Sequence, residues 1–500
     1  MNDEESLDRI RKKNDELEKR NKELEDELKN NEQEINKWKE KYGKLKRKFD
    51  VLKNSILVLA AVKKTAEAGG IPSSKIFFKQ NNQNGPKRPT GGQKGHKGHA
   101  RKRPTPNVPP LIVQLTECPD CHNPLKEPMK KTAKRRIITD IPPPQPVFQE
   151  IMYPGYWCSQ CKKVVYGTTP WLPSNIQFGI TLASWISFQR MLGLTINKIR
   201  TSVYETYRIE LSEATILKLE KWVAESLKGD YEKLKQEIEE AEVNHADETM
   251  FRINGDNGWL WIFCNLLVSV YEIADTRGKR VPQEILKDFD GILVSDAWRA
   301  YDTVNCSRHQ MDLIHVNRWL ERIELQRRIE PRSIRSSQPV KLTGKGRPHD
   351  EAIEFVDIVR HLMQKAVGFT ERQPPPTSEE RREKYDSLCL EMDSILTKKW
   401  KDRDINRICK ELRRQADSLF TFVAVEGTPW HNNDAERGIR AGVLVRKISG
   451  GRRTWDGANV LKTLISIFET AKKREKNFME IVKNKLSNSS MDVQSGVIIS

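Results

Sequence analysis

The sequence has few cysteines and no apolar run long enough to cross a membrane. Eight cysteines in 500 residues cannot form the framework of a small secreted disulfide-rich protein, so that class is excluded. The chain opens on a charged stretch with a heptad pattern, so we expect no signal peptide. These absences predict a cytoplasmic protein without a membrane partner.

Acidic residues are missing from one long stretch, between Ala68 and Thr116, where basic residues recur. The whole chain has 87 Lys and Arg against 69 Asp and Glu, which gives a net charge of +18. This excess indicates a polyanionic partner, and we expect the protein to associate with DNA in the nucleoid.

Glycine and proline punctuate the same stretch, which we interpret as a basic linker over residues 57–110. Its cations would lie along phosphates by counterion release, without reading base sequence. A solubilising spacer is the alternative. The candidate DNA-binding residues of this linker are Lys94, Lys97, Arg101, Lys102 and Arg103.

Residues 7–52 follow a heptad repeat, with apolar residues at most a and d positions and charges at most others. The pattern predicts a coiled coil over residues 1–56, through which the chain associates with itself. Asn14 and Asn21 stand at a positions and favour a parallel dimer, since each pairs best with its own copy. A solvated single helix, or one packed on its own protein, is the alternative.

Two cysteine pairs have the spacing at which two thiolates reach one tetrahedral zinc ion. Cys118 and Cys121 form the first pair, and Cys158 and Cys161 form the second. We therefore predict a zinc-ribbon-like module over residues 111–168, with strands near residues 136–138 and 147–148 and a structural Zn²⁺ held by four thiolates. Redox-active cysteine pairs are the alternative.

The pattern then changes from helices to strands. Residues 169–230 are predicted to be helical, with Ser212 as an N-cap, and they suit a helix-turn-helix-like DNA-binding region. Simple helix packing is the alternative reading of this region.

Residues 231–480 begin with a hairpin, a third strand, a short helix and a fourth strand, which is typical of a ribonuclease-H-like core. A helical insertion is predicted at about 319–420, and residues 481–500 are predicted to be a tail. The fold class is thus multidomain α/β.

Three acidic segments stand out in the predicted core. Asp247 and Asp296 each come at or near the end of an apolar, β-branched run, and Glu436 opens a helical stretch. Carboxylates from two strands and a helix can hold two divalent cations on a phosphodiester. Most Asp residues at strand ends instead cap helices or face solvent, so the spacing alone leaves both readings open.

The amino-acid sequences of these segments resemble, in matching order, those of the insertion sequence 66 family of transposases. The matching segments are Val243–Thr249 with Gly258–Phe263, Ile292–Tyr301, and Asn432–Arg440 running on to Lys447. The resemblance implies a DDE transposase that cuts and joins the ends of an insertion sequence by two-metal phosphoryl transfer. Its catalytic and metal-binding residues would be Asp247, Asp296 and Glu436, with Mg²⁺ or Mn²⁺ as the cation.

The resemblance also implies roles for several basic residues and for partners. His315 and Arg318 would lie near the scissile phosphate, with a structural contact as the alternative, while Asp312 stands where the family often has a Cys. The residues expected to hold the flanking phosphates are Arg437, Arg440 and Lys447. The implied partners are the element's terminal inverted repeats, target DNA, a second copy of the chain and two small accessory proteins of the same element.

Two carboxylates compete with the chosen ligands. Glu248 follows Asp247 and should point to the opposite face of its strand. Asp434 precedes Glu436 and is predicted to cap the helix that carries it. The alternative function is a non-catalytic, dimeric, zinc-containing DNA-binding regulator, such as a domesticated or inactive transposase.

Overall fold

A computed structural model of the protein describes residue 22 and residues 104–113, 115–125, 136–141, 144–169, 172–328 and 347–488. Apart from Lys22, the predicted coiled coil lies outside the described residues. So does most of the predicted linker, including the five basic residues from Lys94 to Arg103. The described residues divide into two compact units, and the smaller one contains those between 104 and 152 together with residues 201–211.

The cysteine-rich region contains one short antiparallel hairpin. Strand β1 (Gly155–Cys158) pairs with β2 (Lys163–Tyr166), so Cys158 and Cys161 lie at and within its turn. The strands predicted near residues 136–138 and 147–148 are wrong, because both segments have no regular structure. Val147 and Phe148 are 90% and 85% exposed. The prolines that flank them also lack the N–H that a strand ladder needs.

In the described part of the chain, four helices precede the sheet: α1 (Ile180–Met191), α2 (Ile196–Tyr207), α3 (Glu213–Ser226) and α4 (Lys228–Glu239). The Ser212 side chain accepts the backbone N–H of Thr215 at 3.0 Å, which confirms the predicted N-cap of α3. The inner face of α3 is buried, and Glu220 on that face binds Arg190 of α1 at 2.9 Å. DNA reading by the outer face of α3 stays a prediction.

A mixed five-stranded sheet forms the centre of the larger unit. Its strands are β3 (Val243–Ile253), β4 (Asp256–Cys264), β5 (Ser269–Ala274), β6 (Ile292–Ser295) and β7 (Arg308–Met311), and their spatial order is β5-β4-β3-β6-β7. The first three are antiparallel, whereas β6 and β7 run parallel to β3. Helix α5 (Arg280–Ile285) lies in the connection from β5 to β6. The predicted order of hairpin, third strand, helix and fourth strand is confirmed.

A helical segment follows β7, as predicted. It contains α6 (Leu313–Arg328), α7 (Arg347–Thr370), α8 (Ser378–Thr397), α9 (Arg403–Arg414) and α10 (Thr421–Ala424). The segment begins at residue 313 and not near 319, because Asp312 Oδ1 accepts the N–H of Ile314 and starts α6 directly after the strand. These helices enclose their own apolar cluster, which includes Phe355, Leu388 and Phe420.

Three helices close the described chain: α11 (Asn433–Ser449), α12 (Trp455–Lys473) and α13 (Phe478–Asn488). Helix α12 binds the sheet edge, where Ser466 Oγ and Thr470 Oγ1 accept backbone N–H groups of β5. The prediction of a tail from residue 481 is wrong as far as 488, because Val482 and Leu486 share one buried helical face. None of the helices in the described ranges is both long and apolar enough to cross a bilayer.

Candidate catalytic and metal-binding site

The register of the parallel strands brings two of the predicted carboxylates together. Asn244 and His245 of β3 pair with Leu293 and Val294 of β6. Continuing this register by two residues sets Asp247 beside Asp296, the first residue after β6. The two residues are 49 positions apart in sequence but occupy one end of the parallel part of the sheet.

Helix α11 begins against the same strand. Asn432, its N-cap residue, donates from Nδ2 to the carbonyl of Ala246 at 2.7 Å, and its Oδ1 lies 3.0 Å from His245 Nδ1. Both contacts involve the two residues just before Asp247, so the first turn of α11 presents Glu436 to that end of the sheet. The predicted capping role of Asp434 is wrong. Asp434 lies inside the first turn, with Oδ2 3.8 Å from His245 Nε2.

Two glycines let α11 lie close to the sheet. A Cβ at Gly438 would collide with Ile262, and one at Gly442 would collide with Leu260. The Tyr271 hydroxyl also donates to the carbonyl of Gly438 at 2.7 Å. The close packing of α11 on the sheet was not predicted from the sequence. The signal was present, because two glycines four residues apart on a helix lie on one face.

Electrostatics also join the predicted triad. Burial, followed by the negative charges of Glu248, Asp296 and Glu436, raises the pKa of Asp247 to about 7. A backbone N–H of Glu248 donates to Asp247 Oδ1 at 2.9 Å and acts in the opposite direction. The carboxylates of Asp247, Asp296 and Glu436 are therefore close enough to one another that a positive charge among them would be stabilised.

Glu248, unlike Asp247, is bound by a cationic side chain and a hydroxyl group. Burial raises its pKa, as does the charge of Asp296, while bonds from Tyr301 and Arg277 lower it. Arg277 donates to Glu248 Oε1 from Nε at 2.8 Å and from Nη2 at 2.6 Å, and the Tyr301 hydroxyl donates to Oε2. The guanidinium carbon lies 3.8 Å from the ring centroid of Trp298. Glu248 is thus neutralised by partners of its own.

The predicted basic residues fall into two groups. Arg318 Nη1 lies 3.1 Å from Glu436 Oε1, and His315 Nδ1 lies 3.2 Å from Asp312 Oδ2, so both residues belong to this end of the sheet. Another group is exposed along α11 beyond the acid, and its members are Arg437, Arg440 and Lys447. Arg446 instead donates to Met250 O at 2.5 Å and holds α11 on β3.

Three possible ligands of a divalent metal ion lie close together. Among the residues that the structure describes, three ligand atoms within 4.8 Å of one another come from Asp312, His315 and Glu436. Asp247 and Asp296 lie in the neighbouring positions of the sheet but are not members of that close group.

Each cysteine pair has a turn that stabilises a thiolate. The N–H of Cys161 lies 3.4 Å from Cys158 Sγ, and bonds from Cys161 and then Gln160 lower the pKa of Cys158. Backbone N–H groups of Asp120 and Cys121 likewise lower the pKa of Cys118. Zinc binds thiolates, so both turns suit zinc ligation.

The sequence matches the models of two known protein families. A model of the family described as "Transposase IS66 family" matches residues 176–460, and the zinc-finger binding domain of transposase IS66 matches residues 116–162. The second match supports a structural zinc in the cysteine-rich region. The chain is also similar to the Uncharacterized protein y4jO of Sinorhizobium fredii (strain NBRC 101917 / NGR234), with 26% identity over 138 residues. This alignment covers 27% of the chain and 41% of that relative, so the chain spans less than half of its length.

The family expected from the acidic segments is therefore confirmed. Because the first match covers more than half of the sequence, this chain belongs to the IS66 family of transposases.

Proposed function

We propose that the protein is a DDE transposase that cuts and joins the ends of an insertion sequence, with Asp247, Asp296 and Glu436 as its metal-binding triad. The observation that carries the proposal is the strand register, which sets Asp247 beside Asp296 at the place where α11 delivers Glu436. The order of three antiparallel strands followed by two parallel ones supports a ribonuclease-H-like core.

The chemistry of the donor set fits a hard divalent cation such as Mg²⁺ or Mn²⁺. Burial and then the charges of the neighbouring carboxylates Glu248, Asp296 and Glu436 raise the pKa of Asp247. Oxygen ligands of this kind suit Mg²⁺ and Mn²⁺. Such cations would activate the attacking hydroxyl and stabilise the departing oxygen of a phosphodiester.

The chain's own cations would position the DNA. Arg437 and Arg440 are exposed directly after Glu436, and Lys447 lies two turns further along α11. Their spacing would let a phosphate backbone follow the helix away from the acids, with bidentate contacts from the arginines. Arg318, which contacts Glu436 through Nη1, would lie beside the scissile phosphate together with His315.

The test is cleavage and joining of the element's own ends by full-length protein with Mg²⁺ or Mn²⁺. Asp247→Asn, Asp296→Asn and Glu436→Gln should each abolish both reactions, because each removes a cation ligand. Binding to those ends in a gel-shift assay should survive, because no phosphate contact is changed.

Asp434→Asn is the matched control, since Asp434 lies in the same helical turn as Glu436 but contacts His245. It should retain cleavage. Full activity in any triad variant would remove that residue from the site. Wild-type protein that binds the ends but never cuts them would favour the non-catalytic regulator.

Zinc gives an independent prediction. Cys118, Cys121, Cys158 and Cys161 should together hold one Zn²⁺ per chain, and metal analysis of freshly reduced protein measures it. Cys121→Ser should lose the zinc and disorder the module while the catalytic core stays folded, because metal binding supplies much of a small module's stability. Reduced protein without zinc would defeat this assignment.

Assembly is part of the same proposal. Two element ends must be joined, so two catalytic cores are needed in one complex, and the heptads of residues 1–56 would pair them. The terminal inverted repeats, target DNA and two small accessory proteins remain the proposed partners, with the nucleoid as the place of action.

A further inference from the structure

A third aspartate continues the row formed by Asp247 and Asp296. Ser295 of β6 pairs with Met311 of β7, and the N–H of Asp312 donates to the carbonyl of Ser295 at 2.9 Å. Continuing this register by one residue sets Asp312 beside Asp296. Three neighbouring parallel strands therefore each present an Asp at the same level of the sheet.

The Asp312 side chain is fully buried, and only one of its two carboxylate oxygens accepts a hydrogen bond. Oδ1 accepts the N–H of Ile314 at 2.9 Å, whereas Oδ2 has no hydrogen-bond partner among the described residues. The nearest cationic group is the His315 ring, whose Nδ1 lies 3.2 Å from Oδ2 and is also buried without a hydrogen-bond partner in the described chain. A buried carboxylate oxygen without a donor is costly unless a positive charge compensates it.

Glu436 reaches this pair from the other side. One ligand atom each from Asp312, His315 and Glu436 lie within 4.8 Å of one another, which is close enough for a single ion to contact all three. The cation now at Glu436 is the guanidinium of Arg318, whose side chain is 45% exposed. An exposed side chain of this length can leave the carboxylate when a metal ion enters.

We propose that Asp312, His315 and Glu436 bind a first-row transition-metal cation, for which Mn²⁺ is the test ion. Two carboxylates and one imidazole suit Mn²⁺ better than Mg²⁺, which prefers oxygen ligands and retained water. The inference rests on the proposed function in one respect only, that Glu436 is shared with the triad. The inference makes Asp312 and His315 metal ligands. Glu436 would then contact two cations, one shared with Asp247 and Asp296 and one shared with Asp312 and His315.

The imidazole allows a direct test by Mn²⁺ electron paramagnetic resonance on the untagged full-length protein. Electron spin echo modulation from a bound nitrogen should appear when Mn²⁺ is added to the wild-type chain. His315→Gln should abolish the nitrogen modulation, and Asp312→Asn should weaken Mn²⁺ affinity by at least roughly tenfold, as loss of metal-site support does elsewhere. The Asn variant keeps an oxygen for the Ile314 N–H, so α6 should still form.

His309→Gln is the matched control, because His309 lies on β7 but contacts Cys306 at 3.2 Å, away from the acids. It should leave the nitrogen modulation unchanged. Bound Mn²⁺ without nitrogen modulation, modulation that persists in His315→Gln, or no binding of Mn²⁺ would overturn the inference.

The Asp247→Asn and Asp296→Asn variants separate this inference from the proposed function. They should lose DNA cleavage while keeping the nitrogen modulation. If they cleave normally and the modulation is present, the proposed triad fails and the Asp312 site stands. If they lose cleavage and the modulation is missing in the wild type, the triad stands and the Asp312 site fails.

Discussion

Asp247 and Glu248 are neighbours on one strand, yet only the carboxylate of Glu248 has a cationic partner within the protein. Glu248 receives two bonds from Arg277 and one from Tyr301, and its side chain is 1% exposed. Asp247 faces Asp296 and Glu436 and has a pKa of about 7. One carboxylate is neutralised by the protein, and the other is left among charges of its own sign.

The difference distinguishes a carboxylate that stabilises the fold from carboxylates that are available to a ligand. Folding alone favours pairing a buried charge, as at Glu248, since an unpaired one costs free energy. Facing carboxylates persist when a proton or a cation compensates their charges, and a divalent cation has the right charge and ligand preference for this role. The Glu248 side therefore supports the sheet, while the Asp247 side has the unpaired negative charge to which our proposal assigns a cation.

Removing the partner of Glu248 should have the largest effect on stability. Arg277→Met leaves a buried carboxylate with only the Tyr301 bond and should lower the free energy of unfolding by about 3 kcal/mol. Urea denaturation measures the loss. Adding Glu248→Gln to that variant should restore much of it, because the uncompensated charge is then gone. A single variant as stable as the wild type would mean that Arg277 does not neutralise Glu248.

Widening the gap between α11 and the sheet should have a smaller effect. Gly442→Ala forces a methyl group into Leu260 and should destabilise the protein by about 1–3 kcal/mol, with a loss of cleavage because Glu436 moves. Gly229→Ala on α4 is the control, since nothing lies within 4 Å of its Cβ position. That variant should be slightly more stable than the wild type. Equal stability of both variants would show that α11 is not held by close approach.

Neutralising Asp247 should stabilise the cation-free protein at high pH. Its folded pKa of about 7 lies above the unfolded value near 3.9, so the neutral form supports the fold at low pH and this support is lost as pH rises through 7. Asp247→Asn should therefore raise the free energy of unfolding by about 1–3 kcal/mol at pH 8, and the gain should fade toward pH 5. Thermal unfolding in chelator from pH 5 to pH 8 measures it. A variant less stable than the wild type at pH 8 would contradict the charge repulsion.

The sequence predicted the sheet well because its strands are strongly patterned. The hairpin and the third strand follow the prediction closely, since each has a clear apolar period. The strands predicted near Ile138 and Val147 were wrong because the prolines beside these short runs lack the N–H group that strand pairing needs. The tail prediction failed because a two-residue apolar face at Val482 and Leu486 is too short to recognise.

The site was predicted in part. The resemblance named Asp247, Asp296 and Glu436, and the strand register shows why positions 49 residues apart can meet. Asp312 was noticed only as a departure from the family, because its alignment with Asp296 depends on a parallel pairing that no local pattern records. The Arg277–Glu248 pair was missed for the same reason, since 29 residues separate its partners.

Iron-directed cleavage of the protein backbone tests the central claim most directly, because it reports where a cation binds without requiring DNA. Fe²⁺ would replace the divalent cation in full-length protein, and ascorbate with peroxide would then generate radicals at the bound iron. We predict new chain ends next to Asp247 and Asp296 that are suppressed by excess Mg²⁺ and missing in Asp296→Asn. Ends next to Glu436 should persist in that variant, because Asp312 and His315 still hold a cation there. Cleavage that avoids Asp247 and Asp296, or that Mg²⁺ does not suppress at these two positions, would contradict the assignment of this sheet end as the cation site.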